Sequence, residues 1–556
     1  MKKIFVFLLL ISLSGSCKKD TPNITLPALF SDHMVLQQKS KTPLWGWAPP
    51  GTSIDLTTTW GEDKTFTADK NGNWFVKIPT PKAGGPYVIT LRSGNSIRII
   101  DDVYSGEVWL ASGQSNMEMP VKGWGKDMPV DNSAQEIAAS DIPQIRMFTI
   151  KKTMGYIPEK DCSGEWKVSN PKNTGDFSAT AYFFAKDLYQ KLKVPIGIIH
   201  SSWGGTPAEA WTPKSFVTQV KGFENTEKQL QEAQNNQKKM ASWLKDLKKI
   251  DFNEALENGF KDEENDKKYS SPTLNVSGWE TMDLPAYWET RQLKDFDGIV
   301  WFRKDFNLPE ETDLKDLKFY LGKIDDMDVA YVNGKKIGGK TELGFWDADR
   351  LYPVKDEILH PGKNTISIKV IDNNYGGGIY GEKNLAVLDS KNDTLISLSG
   401  KWKFKPVSMI KEGNIYTFSG SKNYSNMPKI TASLNSHMPT VLYNGMIAPL
   451  IPYTIKGAIW YQGEANVGRA KQYEILFPKM IRSWRKVWSL GDFPFYYVQI
   501  APFKYANRKP MSAAELRYAQ FLALKEKNTG VVVTTDIGNV DNIHPSNKPE
   551  VGRRLS

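Results

Sequence analysis

Hydrophobic positions change their period several times along this chain, and each change predicts a different kind of element. Between residues 27 and 105, apolar and polar residues alternate in short runs such as 53–57 and 87–91, which Gly, Pro and Asn turns separate. This alternation is typical of half-buried strands. We therefore predict an N-terminal β domain over 27–105.

From residue 106 the pattern becomes that of an α/β domain. An apolar run at 107–112 precedes helical spacing over 181–192, and a second apolar run follows at 196–199. Strand, helix and strand in this order are typical of a parallel sheet that is covered by helices. The first part of this domain is predicted to span 106–215.

The α/β pattern resumes after residue 440, so a second part of the same domain is predicted over 440–556. Strands are predicted at 455–461, 493–498 and 531–535, and helices at 473–487 and 513–524. The last residues stop where a further helix should begin, which suggests that the chain is a fragment of a longer protein.

The two parts are separated by a long insertion. Residues 216–268 are rich in Lys, Glu, Gln and Asn with apolar residues near helical spacing, so we predict a helical excursion on the surface. Residues 270–405 return to strand patterns, and Asn333-Gly334 between two strand-like runs is a strong hairpin signal. This segment is predicted to be an inserted β-sandwich.

The N-terminus predicts export. Met1-Lys2-Lys3 and the short apolar run after it have the form of a signal peptide, and Cys17 ends a lipoprotein-like processing site, so residues 1–17 are assigned to it. We expect a periplasmic or outer-membrane-associated bacterial lipoprotein, held at the membrane only through an N-terminal lipid anchor. Ordinary secretion with an incidental cysteine is the alternative. Cys162 would then be the one remaining cysteine, so no intrachain disulfide is expected.

Length and charge narrow the function classes. A chain of 556 residues is expected to form two to four domains. The net charge of +10 arises from 72 basic and 62 acidic residues without a long basic block, so we do not expect nucleic-acid binding. No metal-ligand spacing and no phosphate-binding glycine loop stands out in the sequence. We expect a hydrolase with no cofactor and no metal.

Four segments with chemically useful residues each follow a predicted strand. Functional residues of an open α/β sheet collect at the carboxyl ends of its strands, so these segments are expected to converge. They are Gly113-Gln114-Ser115-Asn116-Met117-Glu118, Trp203-Gly204-Gly205, Gln462-Gly463-Glu464 and Asp541-Asn542-Ile543-His544.

The residue types point to acyl transfer by a serine. Ser115 is predicted as the nucleophile, His544 as the base and Asp541 as the acid that orients the imidazole. The oxyanion donors would be the backbone N–H of Ser115, the N–H of Gly205 and the side-chain NH₂ of Gln462. Gln462 has an alternative reading as an ordinary hydrogen-bonding residue that closes its strand.

Further residues of these segments are candidates for substrate contact. Asn116, Glu118 and Glu464 either line the pocket or brace the turns, and Trp203 either stacks on a sugar ring or packs. The candidate substrate-binding residues are Gln114, Asn116, Glu118, Trp203 and Glu464. Of the other histidines, His33 and His437 are predicted to be structural because neither follows a core strand.

These segments resemble the blocks of the SGNH-hydrolase superfamily, and specifically the sialate O-acetylesterase family of carbohydrate esterases. The N-terminal stretch 29–37 and the stretch 443–450 also look like this family. The resemblance implies an SGNH-type three-layer α/β/α hydrolase domain with an N-terminal β domain and a galactose-binding-like insertion. It implies removal of O-acetyl groups from sialic acids on glycans. Gln462 stands where the superfamily usually has Asn, so its oxyanion role rests on analogy.

Two other functions stay open at this point. The same machinery would serve an acetylxylan esterase or another carbohydrate O-acetylesterase, and the β domains alone would serve a non-catalytic glycan-binding protein. Sialic acid carries a carboxylate, yet the four segments contain no Lys or Arg. A cation that recognises sialic acid would therefore come from elsewhere in the chain. The acetyl position, the host glycan and the oligomeric state do not follow from the sequence.

Overall fold

The computed structural model describes residues 24–506 and 508–556. The chain divides into two compact units, one formed by the residues up to 234 together with 432–556 and the other by 235–431. The predicted signal peptide and Cys17 lie outside the described residues. Within the described residues, no helix has the length and apolar character that a membrane span requires.

The chain begins with ten strands and five short or medium helices. The strands are β1 (Val35–Gln37), β2 (Lys41–Trp47), β3 (Ser53–Thr58), β4 (Asp63–Thr67), β5 (Asn73–Pro79), β6 (Gly84–Ser93), β7 (Ser96–Gly113), β8 (Ile142–Thr149), β9 (Trp166–Ser169) and β10 (Ile196–Ser202). The helices are α1 (Ser115–Glu118), α2 (Ser133–Ala138), α3 (Pro171–Thr174), α4 (Ala179–Leu192) and α5 (Lys214–Val217).

The middle of the chain is mostly β structure. Its helices are α6 (Thr226–Leu244), α7 (Phe252–Glu257) and α8 (Glu263–Ser270). Its strands are β11 (Lys248–Asp251), β12 (Glu280–Leu284), β13 (Ala286–Tyr287), β14 (Gly298–Leu308), β15 (Lys318–Asp325), β16 (Met327–Val332), β17 (Lys335–Lys340), β18 (Asp349–Pro353), β19 (Gly362–Asp372), β20 (Gly378–Tyr380), β21 (Ala386–Leu388), β22 (Thr394–Ser397), β23 (Gly400–Lys411) and β24 (Asn414–Thr417).

The last part of the chain alternates strands and helices. The strands are β25 (Gly457–Tyr461), β26 (Phe495–Val498) and β27 (Thr529–Val532), and the helices are α9 (Ala470–Trp488), α10 (Ser512–Leu522) and α11 (Lys548–Leu555). The strands and helices predicted for this part are confirmed, although β27 ends three residues before the predicted strand does.

A parallel sheet organises the first unit. Its strands lie in the order β27-β26-β25-β7-β10-β8-β9, and every neighbouring pair except β8 and β9 is parallel. Strands β25, β7 and β10 are adjacent, so their carboxyl ends open side by side at one edge of the sheet. This is the edge to which the candidate segments after these strands are attached.

Alternate residues of the parallel strands belong to two hydrophobic clusters, as expected for strands covered on both faces. Leu110, Trp460 and Tyr497 share one cluster with apolar residues of α9 and α10. Trp109, Ile459 and Val498 share the other with apolar residues of α4 and α11. The fold is therefore a mixed α/β fold.

Strand β7 joins the N-terminal strands to this sheet without a break. Its first half pairs antiparallel with β6, and its second half pairs parallel with β10 and β25. The predicted domain boundary at 105–106 falls inside this strand. The N-terminal strands also share a hydrophobic cluster with the α/β part, so they do not form a separate unit as the sequence had indicated.

The unit at 235–431 contains two antiparallel sheets that share one hydrophobic cluster, as the layers of a β-sandwich do. One sheet has the order β11-β24-β23-β14-β19-β16-β17 and the other β13-β20-β15-β21-β22. Met240, Leu244 and Leu247 belong to the same cluster. The helical stretch predicted to stand apart over 216–268 therefore supplies part of this core.

Candidate active site

Ser115 begins α1 directly after β7 ends. Gly113 has a φ of +143°, and a Cβ built on it would lie 2.1 Å from the carbonyl oxygen of Tyr461. Only glycine lets β7 approach β25 this closely with such a backbone. The close approach fixes the turn that leaves the Ser115 side chain partly exposed.

The segment after β10 packs against the serine. A Cβ built on Gly204 would lie 3.3 Å from Ser115 Cβ, and the Gly204 N–H donates to Glu118 Oε2. Gly205 has a φ of +73°, and no atom lies within 4 Å of the place where its Cβ would be. The backbone beside Ser115 therefore borders open space at Gly205.

Two backbone N–H groups at this point are available for a ligand. Within the described part of the chain, neither the N–H of Ser115 nor that of Gly205 donates a hydrogen bond to another group. Free backbone donors beside a nucleophile are the arrangement that stabilises a developing oxyanion.

Gln462 has a different position from the one its predicted role requires. Its side chain is fully buried, and its NH₂ donates to Thr206 O at 3.2 Å and to Asn466 Oδ1 at 2.6 Å. Its Oε1 accepts from the Tyr473 hydroxyl. Since an amide NH₂ has two hydrogens, none remains for an oxyanion. In this geometry Gln462 holds the loops together, which is the alternative that the sequence left open.

Gln114 and Asn116 join the Ser115 turn to the segment after β25. Gln114 Oε1 accepts from the backbone N–H groups of Gly463 and Ala465, at 3.1 and 3.3 Å. Asn116 Nδ2 donates to Glu464 Oε1 at 2.7 Å and to Ile543 O at 3.0 Å. Both side chains are buried. The geometry therefore makes them braces of the site rather than the substrate contacts that we predicted.

The buried pair of Glu464 and Lys548 adds charge behind the site. Lys548 Nζ donates to Asn116 Oδ1 and to Pro545 O, both at 2.7 Å. Burial lowers the pKa of Lys548 to about 7, although the nearby Glu464 opposes the shift. Burial also raises the pKa of Glu464, whose Oε2 has no hydrogen-bond partner within the described residues. Glu464 thus accepts a hydrogen bond from Asn116 at a place that is buried from solvent.

His544 lies in the loop before α11, half-buried, with its ring against the edge of Trp124 at 5.1 Å between centroids. Burial first, and then the charge of Lys548, lower the pKa of His544 to about 4, while Glu118 acts in the opposite direction. The ring makes no hydrogen bond to Ser115 or Asp541 in the described residues. Asp541 is instead 70% exposed and bonded to Lys504 Nζ at 2.6 Å.

Glu118 and Trp203 meet a cation that the sequence did not identify. Lys152 Nζ lies 2.6 Å from Glu118 Oε1 and 5.4 Å from the centroid of the Trp203 ring. Trp203 is half-buried. Glu118 therefore joins Lys152 to the Gly204 backbone, and the Trp203 ring is close enough to the site to contact a substrate.

Sequence reasoning missed Lys152, Lys548 and Trp124 as neighbours of the site. Lys548 lies four residues after His544, and this short separation was the one sign in the sequence that Lys548 lies near the site. Lys152 follows β8, which is parallel to the adjacent β10, and Trp124 lies in the loop after α1, but neither residue belongs to a segment that the sequence singled out.

The other histidines are placed as follows. His33 Nδ1 lies 2.6 Å from Asp102 Oδ2, and Arg146 also binds Asp102. His437 is exposed. His200, on β10, is buried with its Nε2 2.5 Å from Ser202 Oγ, and burial lowers its pKa to about 4. No group of three His, Cys, Asp or Glu side chains within 24–506 and 508–556 is arranged to hold a metal ion.

The comparisons with known proteins point to a class first. The structure is similar, with a TM-score of 0.55 and 25% identity, to a crystal structure described as that of a novel carbohydrate acetylesterase from Xanthomonas citri. The match covers 96% of this chain and 73% of that one. Over nearly its whole length the chain is therefore similar in structure to a protein of the carbohydrate acetylesterase class.

The sequence comparisons show similarity to one particular family over part of the chain. The model of the family described as carbohydrate esterase, sialic acid-specific acetylesterase, matches residues 426–556. The chain is 32% identical over 202 residues to a sialate O-acetylesterase from Rattus norvegicus, and 32% identical over 201 residues to one from Homo sapiens. Each match covers 33% of this chain and 36% or 37% of the relative, so the chain matches about a third of their length. The resemblance that we drew from the motifs is confirmed.

Proposed function

We propose that this chain is a serine esterase that removes O-acetyl groups from sialic acids on glycans, through an SGNH-type three-layer α/β/α hydrolase domain. The observation that carries the proposal is that the N–H groups of Ser115 and Gly205 have no acceptor among the described residues and lie beside a partly exposed serine side chain. The family match over 426–556 and the two faces of the parallel sheet support it.

The proposed reaction is acyl transfer in two steps. Ser115 Oγ attacks the acetyl carbonyl carbon while His544 accepts the hydroxyl proton, and the N–H groups of Ser115 and Gly205 stabilise the oxyanion. His544 then gives that proton to the leaving sugar hydroxyl. Water attacks the acetyl-enzyme by the same route and releases acetate. Each oxyanion donor is expected to contribute about 2.7–4 kcal/mol.

The proposal requires His544 to move toward Ser115 when substrate binds. Catalytic hydrogen bonds are commonly long before substrate is present and tighten in the complex. Asp541 would exchange Lys504 for the imidazole in the same step. Its high exposure makes this exchange inexpensive, because an exposed ion pair contributes only about 0–1 kcal/mol.

Lys152 supports sialic acid as the sugar. A sialate carboxylate needs a cation near the acetyl group, and the Lys152 ammonium lies at the site with three donors, one of which is bonded to Glu118. Its side chain is 43% exposed, so the remaining donors are accessible. The second candidate is an acetylated neutral polysaccharide such as xylan. The similar structure from Xanthomonas citri, described only as a carbohydrate acetylesterase, favours that broader class.

The test measures acetate release from an O-acetylated sialoglycan and from acetylxylan. Wild-type protein should release acetate from the sialoglycan, and Ser115→Ala and His544→Ala should each reduce kcat by roughly three to six orders of magnitude. Ser112→Ala is the matched control, because Ser112 is a buried serine on β7, the strand before Ser115, and its hydroxyl has no partner in the described residues. Near wild-type activity in Ser115→Ala would overturn the proposal. Failure of the wild type on p-nitrophenyl acetate as well would favour a glycan-binding protein.

A second experiment separates the two substrates. Lys152→Met should lower kcat/KM on the sialoglycan by roughly tenfold, or about 1.4 kcal/mol, and should leave acetylxylan hydrolysis unchanged. Lys151→Met, at the exposed neighbouring lysine, is the control. Equal losses on both substrates, or a tenfold preference of the wild type for xylan, would favour the neutral polysaccharide.

We also propose that the protein is exported and held at a bacterial membrane through Cys17. The basic start of the sequence, its short apolar run and the cysteine after it support this. Expression of the full chain and of Cys17→Ala, followed by membrane fractionation, tests the anchor. Equal membrane association of the two proteins would count against it.

A further inference from the structure

The unit at 235–431 carries exposed aromatic side chains that its hydrophobic core does not use. Tyr375 is 90% exposed and Trp346 is 51% exposed. Tyr287 and Tyr380 stack with ring centroids 4.3 Å apart. Large rings left in solvent at one place on a folded unit commonly mark a binding site. We name these four residues the aromatic rim: Tyr287, Trp346, Tyr375 and Tyr380.

Contacts show that the rim is one continuous feature. The Tyr380 hydroxyl donates to Trp346 O at 2.7 Å. A Cβ built on Gly376 would lie 3.3 Å from the Tyr287 ring, so the loop that carries Tyr375 packs on the stacked pair. The stacked pair on the neighbouring strands β13 and β20 is therefore in contact with the two loops that carry Trp346 and Tyr375.

Carboxylates lie beside the rim. Tyr287 and Asp325 are both register partners of Gly378, in strands on either side of β20. Glu289 accepts from the Gly377 N–H, and Asp326 Oδ2 accepts from the Asn373 N–H. The acidic group consists of Glu289, Asp297, Asp325, Asp326 and Asp372.

The acidic group has more acceptors than the protein satisfies. Asp372 is fully buried, and its Oδ2 has no hydrogen-bond partner within the described residues. No ion pair joins any of the five carboxylates to a Lys, Arg or His in the part of the chain that the structure describes. Burial and the neighbouring carboxylates raise the pKa of Asp325 to about 7 and that of Asp372 to about 8. An anion bound here would add to this repulsion, whereas hydroxyl donors to the partly exposed Glu289 and Asp325 would relieve it; the buried Asp372 contributes through its effect on these neighbours and not by contact.

A metal ion is a poor match for these groups. No three of the acidic side chains in the described residues are arranged to hold a cation, and a cation would leave the exposed rings without a role. A sugar ring matches both the aromatic rim and the acidic group, because its C–H face packs on an aromatic ring and its hydroxyls donate to carboxylates.

We propose that the aromatic rim and the acidic group form a second carbohydrate site, which binds an uncharged sugar residue of a glycan. The site belongs to the unit at 235–431, whereas Ser115 belongs to the other unit, so the proposal does not depend on the esterase activity. It would hold a neutral part of a glycan chain rather than the acetylated sugar that the enzyme deacetylates.

Binding of the full chain to unacetylated oligosaccharides tests the proposal. We expect calorimetric titration to detect binding of xylohexaose or lacto-N-neotetraose below about 10 mM, and weaker or no binding of 3′-sialyllactose. Trp346→Ala and Tyr375→Ala should each weaken the neutral sugar by roughly tenfold. Because both rings are exposed, the variants should hydrolyse p-nitrophenyl acetate at the wild-type rate.

Two controls keep the outcome unambiguous. Phe75→Ala removes a ring that is 53% exposed in the other unit and should not change binding. Asp325→Asn keeps the shape of the acidic group and should weaken the neutral sugar. No binding of either neutral oligosaccharide, equal affinity in Trp346→Ala and wild type, or binding that EDTA abolishes would each overturn the proposal.

Discussion

The Asn116 side chain donates to Glu464 Oε1 at 2.7 Å across 348 residues of sequence. The Asn116 Oδ1 accepts from Lys548 Nζ, and the Asn116 Nδ2 also donates to the carbonyl oxygen of Ile543, next to His544. One buried amide thus ties the nucleophile turn to the segments after β25 and before α11. The distance between Ser115 and His544 is therefore controlled by a residue that need not contact substrate.

Asn116→Ala should reduce both stability and turnover. The change leaves Glu464 and Lys548 without a shared partner in a buried place, which should cost about 1–3 kcal/mol of unfolding free energy. We expect kcat to fall by roughly ten- to a hundredfold with little change in KM, because the loop of His544 loses its tie. Denaturant unfolding and steady-state kinetics measure the two effects, with Asn71→Ala in an exposed turn as the control. A pure rise in KM would make Asn116 a substrate contact instead.

Gln462→Ala distinguishes a frame residue from an oxyanion donor. Both of its N–H groups are bonded to protein acceptors, so we expect a loss of about 1–3 kcal/mol in stability and a fall in kcat of less than tenfold. Loss of an oxyanion donor would lower kcat by about 10²–10³ without affecting stability. Thermal melting and kcat on the same preparation decide between them, and the second pattern would restore the role that the sequence suggested.

Asp541→Asn tests whether the exposed aspartate takes part in catalysis. We expect kcat to fall by roughly 10²–10⁴ with an unchanged Tm, because the side chain is 70% exposed and contributes little to the fold. Lys504→Met releases the carboxylate from its ion pair and should leave kcat equal or higher. Should Asp541→Asn retain full activity, His544 would work without this partner.

The pH profile should report the depressed pKa of His544. Only the neutral imidazole accepts a proton, so kcat/KM should rise as pH increases through about 4 and then level off. Lys548→Met removes a positive charge that lowers this pKa, so the rising limb should shift toward 6.5. Lys160→Met, at an exposed lysine, should leave the profile unchanged. A rising limb near 6.5 in the wild type would show that His544 is not held in this environment during catalysis.

Acid should destabilise the fold through His200. Its folded-state pKa of about 4 lies below the value of about 6.5 expected for an unfolded chain, so the neutral side chain stabilises the fold at pH above 6.5. That contribution, of about 3 kcal/mol at most, is lost as the pH falls from 6.5 to 4. Unfolding free energies at pH 7 and 4.5 should differ less in His200→Asn than in the wild type. An identical difference in both proteins would exclude His200 as the source.

The sequence predicted the parts of the site that depend on strand order. The strands that precede Ser115, Gly204 and Gln462 were visible as apolar runs, and residues after parallel strands necessarily share one edge of the sheet. The hydrogen-bond partners of the side chains could not be predicted from the sequence in this way. Whether Gln462 faces a ligand or Thr206 depends on a rotamer that no spacing records, and Lys152 reaches Trp203 only because of how the loop after β8 folds.

The domain boundaries show the same limit. The sequence pattern correctly indicated strands on both sides of residue 105. The change at residue 106 to a continuous apolar run predicted a domain boundary, but in the structure this change occurs inside the single strand β7, between its antiparallel and its parallel half. Likewise, the polar composition of 216–268 concealed Met240 and Leu244, which pack in the core of the inserted unit.

Strand β7 runs without a break from the N-terminal strands into the parallel sheet, and this continuity affects how the first unit unfolds. The 18 residues from Ser96 to Gly113 form one backbone element, and its last residue positions the turn of Ser115. An excised fragment that began at residue 106 would lose the first half of this strand and would uncover the apolar residues that the N-terminal strands share with the α/β part. The N-terminal strands and the parallel sheet should therefore melt in one cooperative transition, with amide hydrogens along β7 among the last to exchange.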